Sequence, residues 1–429
     1  MDWRIVYAHH AACAGKACNT INALEKSGFD ILPAEVPGNF ELDLMRARKL
    51  EDLYYSTNTL KAQELEDVHL WYYTTVEISN SNQYLCFEGI DTYADIYVNG
   101  ELVKSTDNMF LSYDVHADWK IGMNEVVVHI KPAMLEARKY ELPARCFASK
   151  YNYASLHTRK APHMYGWDIM PRIVSAGIWK QVTLKEKKND YIKEVYVGTN
   201  KINLEKETAQ LRFFITTDIS AANAKEYTLQ VHAVCGDSSY HAEQTLWHNI
   251  FGFIVDVKDC KFWWPKNAGE PNLYEVTVSL LRDGEVCDTY SMKHGIRMIE
   301  LERTDITDNE GNGEFCFRVN GKKIFVLGTN WVPLDAFHSN DLKRLPKALE
   351  MVEDIGCNML RCWGGNVYES DEFFDYCDEH GIMIWQDFGL GCAVYPEDEA
   401  FLNLLEQEAV YQIKRLRNHA SLALWAGDN

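Results

Sequence analysis

The sequence predicts a multidomain chain in which two β-sandwich regions precede a region of alternating strands and helices. The 429-residue length is sufficient for several domains. Short runs with period-2 alternation fill the chain up to residue 298, and after residue 299 the apolar residues change to helical spacing. The content of 47% hydrophobic and 25% charged residues is typical of a globular protein and excludes intrinsic disorder.

Residues 1–187 are predicted to form a β-sandwich or barrel. The clearest strand lies in TYADIYVNGELV, where Ala94, Ile96 and Val98 alternate with more polar residues. Asn99 and Gly100 follow directly and favour a tight hairpin turn. Many short strands at such spacing are typical of a sandwich or barrel.

Residues 188–298 form a second β-rich block. Its apolar runs are LRFFITT, YTLQVHAV, FGFIVDV and LYEVTVSLL, and the last is closed by the turn residues Asp283 and Gly284. About seven strands in a block of about 110 residues are typical of an immunoglobulin-like sandwich.

Residues 299–429 alternate between strand and helix four times, which predicts a parallel sheet with right-handed crossovers. KIFVLGTN is predicted to be a buried strand, and the helices of this region are expected to end at Gly356 and Gly381. A last helix is expected to bury one apolar face, formed by Leu402, Leu405, Ala409, Ile413 and Leu416.

The four strands of this region leave two folds open. They could form an open doubly wound sheet, or half of a (β/α)8 barrel, which needs eight strands and about 250 residues in full. No glycine-rich fingerprint follows the first strand, so a dinucleotide-binding fold has no positive support. The half barrel therefore fits better.

Charge and cysteine usage exclude several classes of partner. A net charge of −20 argues against nucleic acid, and no apolar run is long enough for a membrane span. The 12 cysteines and 14 histidines show no zinc-ligand spacing, so we expect neither a metal nor another cofactor. Reduced thiols and the lack of a signal peptide favour a cytoplasmic protein. The sequence does not indicate an oligomeric state.

The carboxyl ends of the four predicted strands carry tryptophan together with polar residues. In a barrel, functional groups gather at these ends. Indole faces stack on the apolar faces of sugar rings, and fixed polar groups bind hydroxyls, so the pattern favours a carbohydrate site. The candidate residues at the strand ends are Trp331, Arg361, Trp363, Trp385, Asp387 and Asn429.

Long motifs from about residue 31 to the end of the chain resemble glycoside hydrolase family 2. They include FEGIDTYADIYVNG, WWPKNAGEPNLYEVTV, NMLRCWGGNVYESDEFFDYCDEHGIMIWQDF and QIKRLRNHASLALWAGDN. The run RKAPHMYGWDIMPRIVSAGIW resembles a loop of the β-mannosidase branch. The resemblance implies a jelly-roll β-sandwich at 1–187, an immunoglobulin-like β-sandwich at 188–298 and strands 1–4 of a (β/α)8 TIM barrel at 299–429.

The resemblance also implies roles for the candidate residues. Trp167 and Asp168 would contact the glycone, and Asn429 would bind its 2-hydroxyl. Arg361 would lie beneath the catalytic carboxylates, and Asp387 would orient its neighbours or sugar hydroxyls. Trp331, Trp363 and Trp385 would wall the pocket. Ile169-Met170 stands where the family usually has Trp-Gly, and Asn366 where a third glycine is usual; both departures concern the sugar preference.

The resemblance predicts a retaining exo-β-glycosidase acting on a glycoside substrate, with β-mannosidase favoured. The family's acid/base glutamate would follow Asn429, and its nucleophile would lie further on, so we expect a fragment or a degenerate relative that is inactive by itself. The alternatives are a β-galactosidase-like or β-glucuronidase-like member of the same family, or a carbohydrate-binding protein without catalysis.

Overall fold

The computed structural model describes residues 1–13, 16, 18–149, 152–304, 309–310 and 313–429. None of the helices in these ranges combines the length and apolar character needed to cross a membrane. The α-helices are α1 (His10–Cys13), α2 (Ile21–Glu25), α3 (Phe40–Arg46), α4 (Ala133–Ala137), α5 (Asp341–Asp354), α6 (Asp371–His380) and α7 (Glu399–Leu416).

The first region is a β-sandwich. Its strands are β1 (Trp3–His9), β2 (Ile31–Ala34), β3 (Val68–Ile78), β4 (Gln83–Phe87), β5 (Ala94–Val98), β6 (Glu101–Thr106), β7 (Tyr113–Val115), β8 (Gly122–Ile130), β9 (Phe147–Ala148) and β10 (Val182–Glu186). A six-stranded sheet in the order β2-β1-β3-β8-β5-β6 packs on the sheet β10-β4-β7. Alternate residues of the two sheets form the core between them, which confirms the predicted sandwich.

Two local features of this sandwich follow directly from the sequence. Asn99 and Gly100 both have positive φ, 50° and 86°, as the predicted hairpin between β5 and β6 requires. Trp3 and Ile5 of β1 belong to the core, and β1 pairs with both β2 and β3. Residues 3–9 therefore form an integral strand of the sandwich.

The second region is also a β-sandwich. Its strands are β11 (Ile192–Asn203), β12 (Thr208–Thr217), β13 (Tyr227–Cys235), β14 (Ser238–Thr245), β15 (Ile250–Val257), β16 (Tyr274–Arg282) and β17 (Glu285–His294). A three-stranded sheet, β11-β12-β15, packs on a four-stranded sheet, β14-β13-β16-β17. These seven strands confirm the immunoglobulin-like prediction.

The third region contains a four-stranded parallel sheet in the order β21-β22-β23-β25, with α5, α6 and α7 in the successive connections. The strands of the whole third region are β18 (Ile299–Arg303), β19 (Phe315–Val319), β20 (Lys322–Ile324), β21 (Gly328–Trp331), β22 (Met359–Cys362), β23 (Met383–Asp387), β24 (Ala393–Val394) and β25 (Leu422–Ala426). The helices pack on one face of the sheet. The predicted alternation and parallel pairing are present, and α6 ends at Gly381 as expected.

One predicted strand of this region is wrong in its extent and burial. KIFVLGTN is divided between β20, which belongs to the antiparallel sheet β18-β19-β20, and β21 of the parallel sheet. Phe325, between the two strands, is 81% exposed. Within the described part of the chain β21 pairs only with β22, so this edge of the sheet is open to solvent.

The buried face of α7 also differs from the expected apolar face. Leu402 is exposed, whereas Glu408 and Gln412 are buried together with Phe401 and Leu416. The two polar residues hydrogen-bond to the first sandwich, which covers this side of the helix. The buried side of α7 is therefore the side whose polar residues find hydrogen-bond partners in the first sandwich, and it is not the most apolar side of the helix.

Candidate functional site

The carboxylate of Asp387 lies at the centre of the carboxyl ends of the parallel strands. It accepts hydrogen bonds from Arg361 (Nη2 at 2.6 Å and Nε at 3.3 Å), from Trp385 Nε1 at 3.1 Å and from the backbone N–H of Gly364 at 3.2 Å. Asp387 is only 1% exposed. All four bonds are donated to its oxygens, so the carboxylate is fixed in position by three different residues.

Arg361 connects all four strand ends. Besides Asp387, its guanidinium donates to Asn429 Oδ1 at 2.9 Å and, at the long distance of 3.4 Å, to Asn330 Oδ1. Its side chain is 29% exposed, so part of its charge faces the open side of the sheet. A guanidinium fixed in this way presents positive charge to any group bound above the strand ends.

Asn429 is held by the loop that follows β23. Its N–H donates to the carbonyl of Leu390 at 3.2 Å, and its carbonyl accepts from the N–H of Cys392 at 3.1 Å. Its side-chain Nδ2 lies 3.0 Å from Cys392 Sγ. The orientation of the Asn429 amide therefore depends on both Arg361 and this loop.

The first sandwich brings Trp167 to the same place. Its ring centroid lies 5.2 Å from that of Trp363, with the planes inclined at 59°. The N–H of Trp167 donates to the carbonyl of Met170 at 3.0 Å, which closes a turn with Asp168 exposed at its tip. The structure thus joins Trp167, Trp363 and the Arg361 group at one edge of the sheet, with Asp168 beside them.

Trp331 does not join this group. It is 5% exposed, and its ring packs 5.0 Å from that of Phe373 in the core between sheet and helices. Neighbouring residues of a strand face opposite sides, and Asn330 faces Arg361, so the indole of Trp331 faces the helices. The candidate wall on the open side of the sheet therefore consists of Trp385, Trp363 and Trp167.

A buried ion pair that the sequence did not indicate fixes the loop that holds Asn429. Arg159 donates to Glu408 through Nη2 at 2.7 Å and through Nε at 2.8 Å. Its Nη2 also donates to the carbonyl of Gly389 at 2.8 Å. Tyr368 donates to Glu408 at 2.8 Å and accepts from the N–H of Gly389 at 2.8 Å. The loop that holds Asn429 is thus fixed at its start.

The charges of this pair are stabilised by each other. Burial opposes the charge of Arg159, but the adjacent carboxylate of Glu408 outweighs it and raises the pKa of the guanidinium. Asn108 of the first sandwich donates to Glu408 Oε2 at 3.0 Å and completes its hydrogen bonds. The sequence carried one signal: Arg159 begins the run RKAPHMYGWD that contains Trp167.

Potential metal ligands lie elsewhere in the described residues. Two groups of three place their ligand atoms within 4.8 Å of one another, namely Glu302, Glu314, Cys316 and Asp375, Asp378, His419. Neither group lies at the carboxyl ends of the parallel strands. In the second group, Asp378 already accepts from His419 Nδ1 at 2.8 Å and from the N–H of Ser421 at 2.7 Å. The candidate site itself is built from tryptophan, arginine, aspartate and asparagine.

Two family models match the chain. The galactose-binding domain-like model of glycosyl hydrolase family 2 matches residues 17–180, and the model "Glycosyl hydrolases family 2" matches residues 190–297. These are the two sandwich regions described above. Together they account for the larger part of the chain.

The chain is also similar to β-mannosidases. It is 32% identical over 411 residues to "Beta-mannosidase B" of Aspergillus terreus, covering 92% of this chain and 47% of that protein. A β-D-mannosidase structure from Dictyoglomus thermophilum matches with a TM-score of 0.85 and 32% identity over 100% of this chain and 52% of its own. The exo-chitosanase of Amycolatopsis orientalis (TM-score 0.68, 19% identity, 98% and 48% coverage) shares the fold. The chain spans about half the length of the curated relatives it matches.

Proposed function

The chain belongs to glycoside hydrolase family 2, and we propose that the complete protein is a retaining exo-β-mannosidase that removes terminal β-D-mannosyl residues. The observation that carries the proposal is the group formed by Arg361, Asp387 and Asn429 beside Trp167 and Trp363. It combines aromatic faces for a sugar ring with fixed polar groups for its hydroxyls. The similarity to β-mannosidases supports the choice of sugar.

In this proposal the third region supplies the first four strands of a (β/α)8 barrel. The parallel order β21-β22-β23-β25 with a helix in each connection supports it, as does the open edge at β21, which a further strand would cover. A retaining mechanism requires two carboxyl groups about 5–5.5 Å apart. We place both in residues after Asn429, and assign to the described residues the binding and orientation of the glycone.

The geometry of the site supports the roles that we propose for its residues. Asn429 presents its amide to a sugar hydroxyl while Arg361 fixes the amide oxygen at 2.9 Å. Arg361 also lowers the pKa of a carboxyl group placed above it, because a nearby cation favours the charged form. Asp387 holds the guanidinium in this position, and so acts as a positioning residue.

Hydrolysis of 4-nitrophenyl β-D-glycosides by the protein made from its complete reading frame tests the proposal. We expect the highest kcat/KM on the mannoside. Faster turnover of the galactoside or glucuronide would replace it by one of the other family activities, and sugar binding without turnover would indicate a binding protein. Trp167→Ala should raise KM about threefold to tenfold, because one stacked ring is lost. Trp247→Ala, at a 63% exposed position of the second sandwich, is the control.

A further inference from the structure

A second cavity lies between the second sandwich and the third region, away from the candidate site. Its volume is about 210 Å³. Three segments line it: residues 196–199 of β11, residues 294–299 around the end of β17, and residues 417–420 after α7. The last segment leads into β25 at its amino-terminal end, whereas the candidate site lies at the carboxyl end of that strand. We call this space the junction cavity.

The charged side chains that line the junction cavity are cationic. Its lining includes Arg297, Arg417 and His294 but no carboxylate. Glu194, which lies outside the lining, pairs with Arg417 through the Nη2 of the guanidinium and also with Lys414. Asp378 and Asp375 face His419. Arg417 and His419 of the lining are therefore already paired with carboxylates, whereas Arg297 forms no salt bridge within the described residues.

Three ring or guanidinium nitrogens of the lining have no hydrogen-bond partner within the described residues. His294 is 5% exposed, and neither of its ring nitrogens has a hydrogen-bond partner within the described residues. The same holds for Nε of Arg417. Arg297 donates Nε to the carbonyl of Ala420 at 2.9 Å and Nη2 to that of Leu422 at 2.7 Å. A buried polar group without a partner destabilises the folded state.

Burial lowers the pKa of Arg297 to about 10, and the charge of Asp378 partly opposes this effect. Arginine remains protonated at neutral pH even so, and the carbonyls that it meets supply only partial negative charge. Burial and the neighbouring Arg297 lower the pKa of His294 to about 4, so that this histidine is neutral at pH 7 and offers one N–H. The cavity thus combines fixed positive charge with free donors.

We propose that the junction cavity binds a tetrahedral oxyanion, supplied as inorganic phosphate or as the phosphate group of a small phosphomonoester. Guanidinium groups are the preferred partners of phosphate, and an oxyanion accepts from several converging donors at once. The volume exceeds that of several water molecules at about 30 Å³ each, so a small hydrated anion fits. Because the ligand would join two regions of the chain, it would stabilise their contact.

Thermal unfolding in potassium phosphate, compared with potassium chloride at equal ionic strength and pH 7, tests the proposal. We expect phosphate to raise the Tm by about 2 °C or more at saturation, and calorimetric titration to give a stoichiometry of one. His294→Leu should weaken phosphate binding at least about tenfold, since it removes a buried donor. His232→Leu, at an exposed position on β13, should leave binding unchanged.

A second variant and a second ligand complete the test. Thr199→Val removes a lining hydroxyl on β11 and should weaken binding even if His294→Leu does not fold. Phenyl phosphate distinguishes the sources: binding equal to that of inorganic phosphate would indicate a phosphomonoester, and binding of inorganic phosphate alone would indicate the free ion. The proposal is overturned if phosphate stabilises no more than chloride, or if Thr199→Val and His232→Leu bind phosphate equally well.

Discussion

Arg159 and Glu408 form a bidentate ion pair that is buried from solvent and joins the first sandwich to the middle of α7. Both side chains are at most 1% exposed. Such a pair resists the loss of one partner, because the remaining charge stays buried without compensation. The same pair fixes the start of the loop that holds Asn429.

Glu408→Gln is therefore expected to lower the free energy of unfolding by about 3–5 kcal/mol. The substitution leaves Arg159 buried beside a neutral amide. Urea unfolding followed by tryptophan fluorescence measures the change. Glu397→Gln is the matched control, since Arg145 and Glu397 connect the same two regions but are 59% and 65% exposed; it should cost about 0–1 kcal/mol. Equal effects of the two substitutions would contradict the assigned role.

Asp387→Asn is expected to lower kcat/KM of the complete protein about 10-fold to 100-fold. The carboxylate accepts from Arg361, Trp385 and Gly364, and an amide would direct its own N–H groups at some of these donors. A hydrogen bond to a charged group contributes about 1.5–3 kcal/mol, and 1.36 kcal/mol corresponds to a factor of ten. Asp354→Asn, at the exposed end of α5, is the control. Unchanged kinetics in a folded Asp387→Asn protein would remove Asp387 from the site.

The stability of the first sandwich is expected to depend on pH through Glu41. This residue is 1% exposed and accepts a hydrogen bond from Ser175 Oγ at 2.6 Å. Burial raises its pKa from 4.5 to about 8. A raised carboxyl pKa means that the folded state binds the proton more tightly, so its contribution is present below pH 4.5 and is lost as the pH rises to about 8.

Glu41→Gln should accordingly flatten the decline in stability between about pH 5 and pH 8, since the amide has no proton to lose. The slope removed should approach about 1.4 kcal/mol per pH unit. Denaturant midpoints across this range provide the measurement. Glu77→Gln, exposed on β3 of the same sandwich, should leave the slope as it is. A wild-type slope retained in Glu41→Gln would show that Glu41 is ionised in the folded protein.

Alanine substitutions at Gly381 and Gly356 distinguish two causes of lost stability: a left-handed backbone conformation and a close contact of the new Cβ. Both have positive φ, 69° and 74°. A Cβ on Gly381 would lie 2.7 Å from the backbone nitrogen of Lys266, whereas a Cβ on Gly356 would meet nothing within 4 Å. Gly356→Ala should cost about 1–2 kcal/mol of stability, and Gly381→Ala clearly more. Equal losses in thermal unfolding would mean that the loop at Lys266 yields freely.

The parts of the fold that the sequence predicted are those decided by neighbouring residues. Asn99 and Gly100 impose a hairpin wherever they lie between alternating strands, and Gly381 ends α6 through its own backbone. The side that α7 buries depends on partners such as Arg159, which is 249 residues from Glu408. No periodicity within a single helix carries that information.

For the candidate site, too, the sequence predicted the positions of some residues and not of others. We expected Arg361, Asp387 and Asn429 to lie close together because the carboxyl ends of parallel strands meet at one edge of the sheet, and in the structure they are hydrogen-bonded to one another through Arg361. The position of Trp331 required a second rule, namely that adjacent residues of a strand face opposite sides of the sheet. Asn330 and Trp331 cannot both face Arg361, and the asparagine does so.

The contacts between the first sandwich and the third region also bear on how the chain folds. Asn108 and Glu408 are 300 residues apart, Phe110 and Gln412 are 302 apart, and Tyr54 and Asp335 are 281 apart. The second sandwich is made between these partners during synthesis, so the first sandwich must wait for residues near 410 to leave the ribosome before this interface closes. Contacts of such long separation close large loops and form late. The polar groups of Asn108 and Arg159 therefore lack their partner Glu408 until α7 has been made.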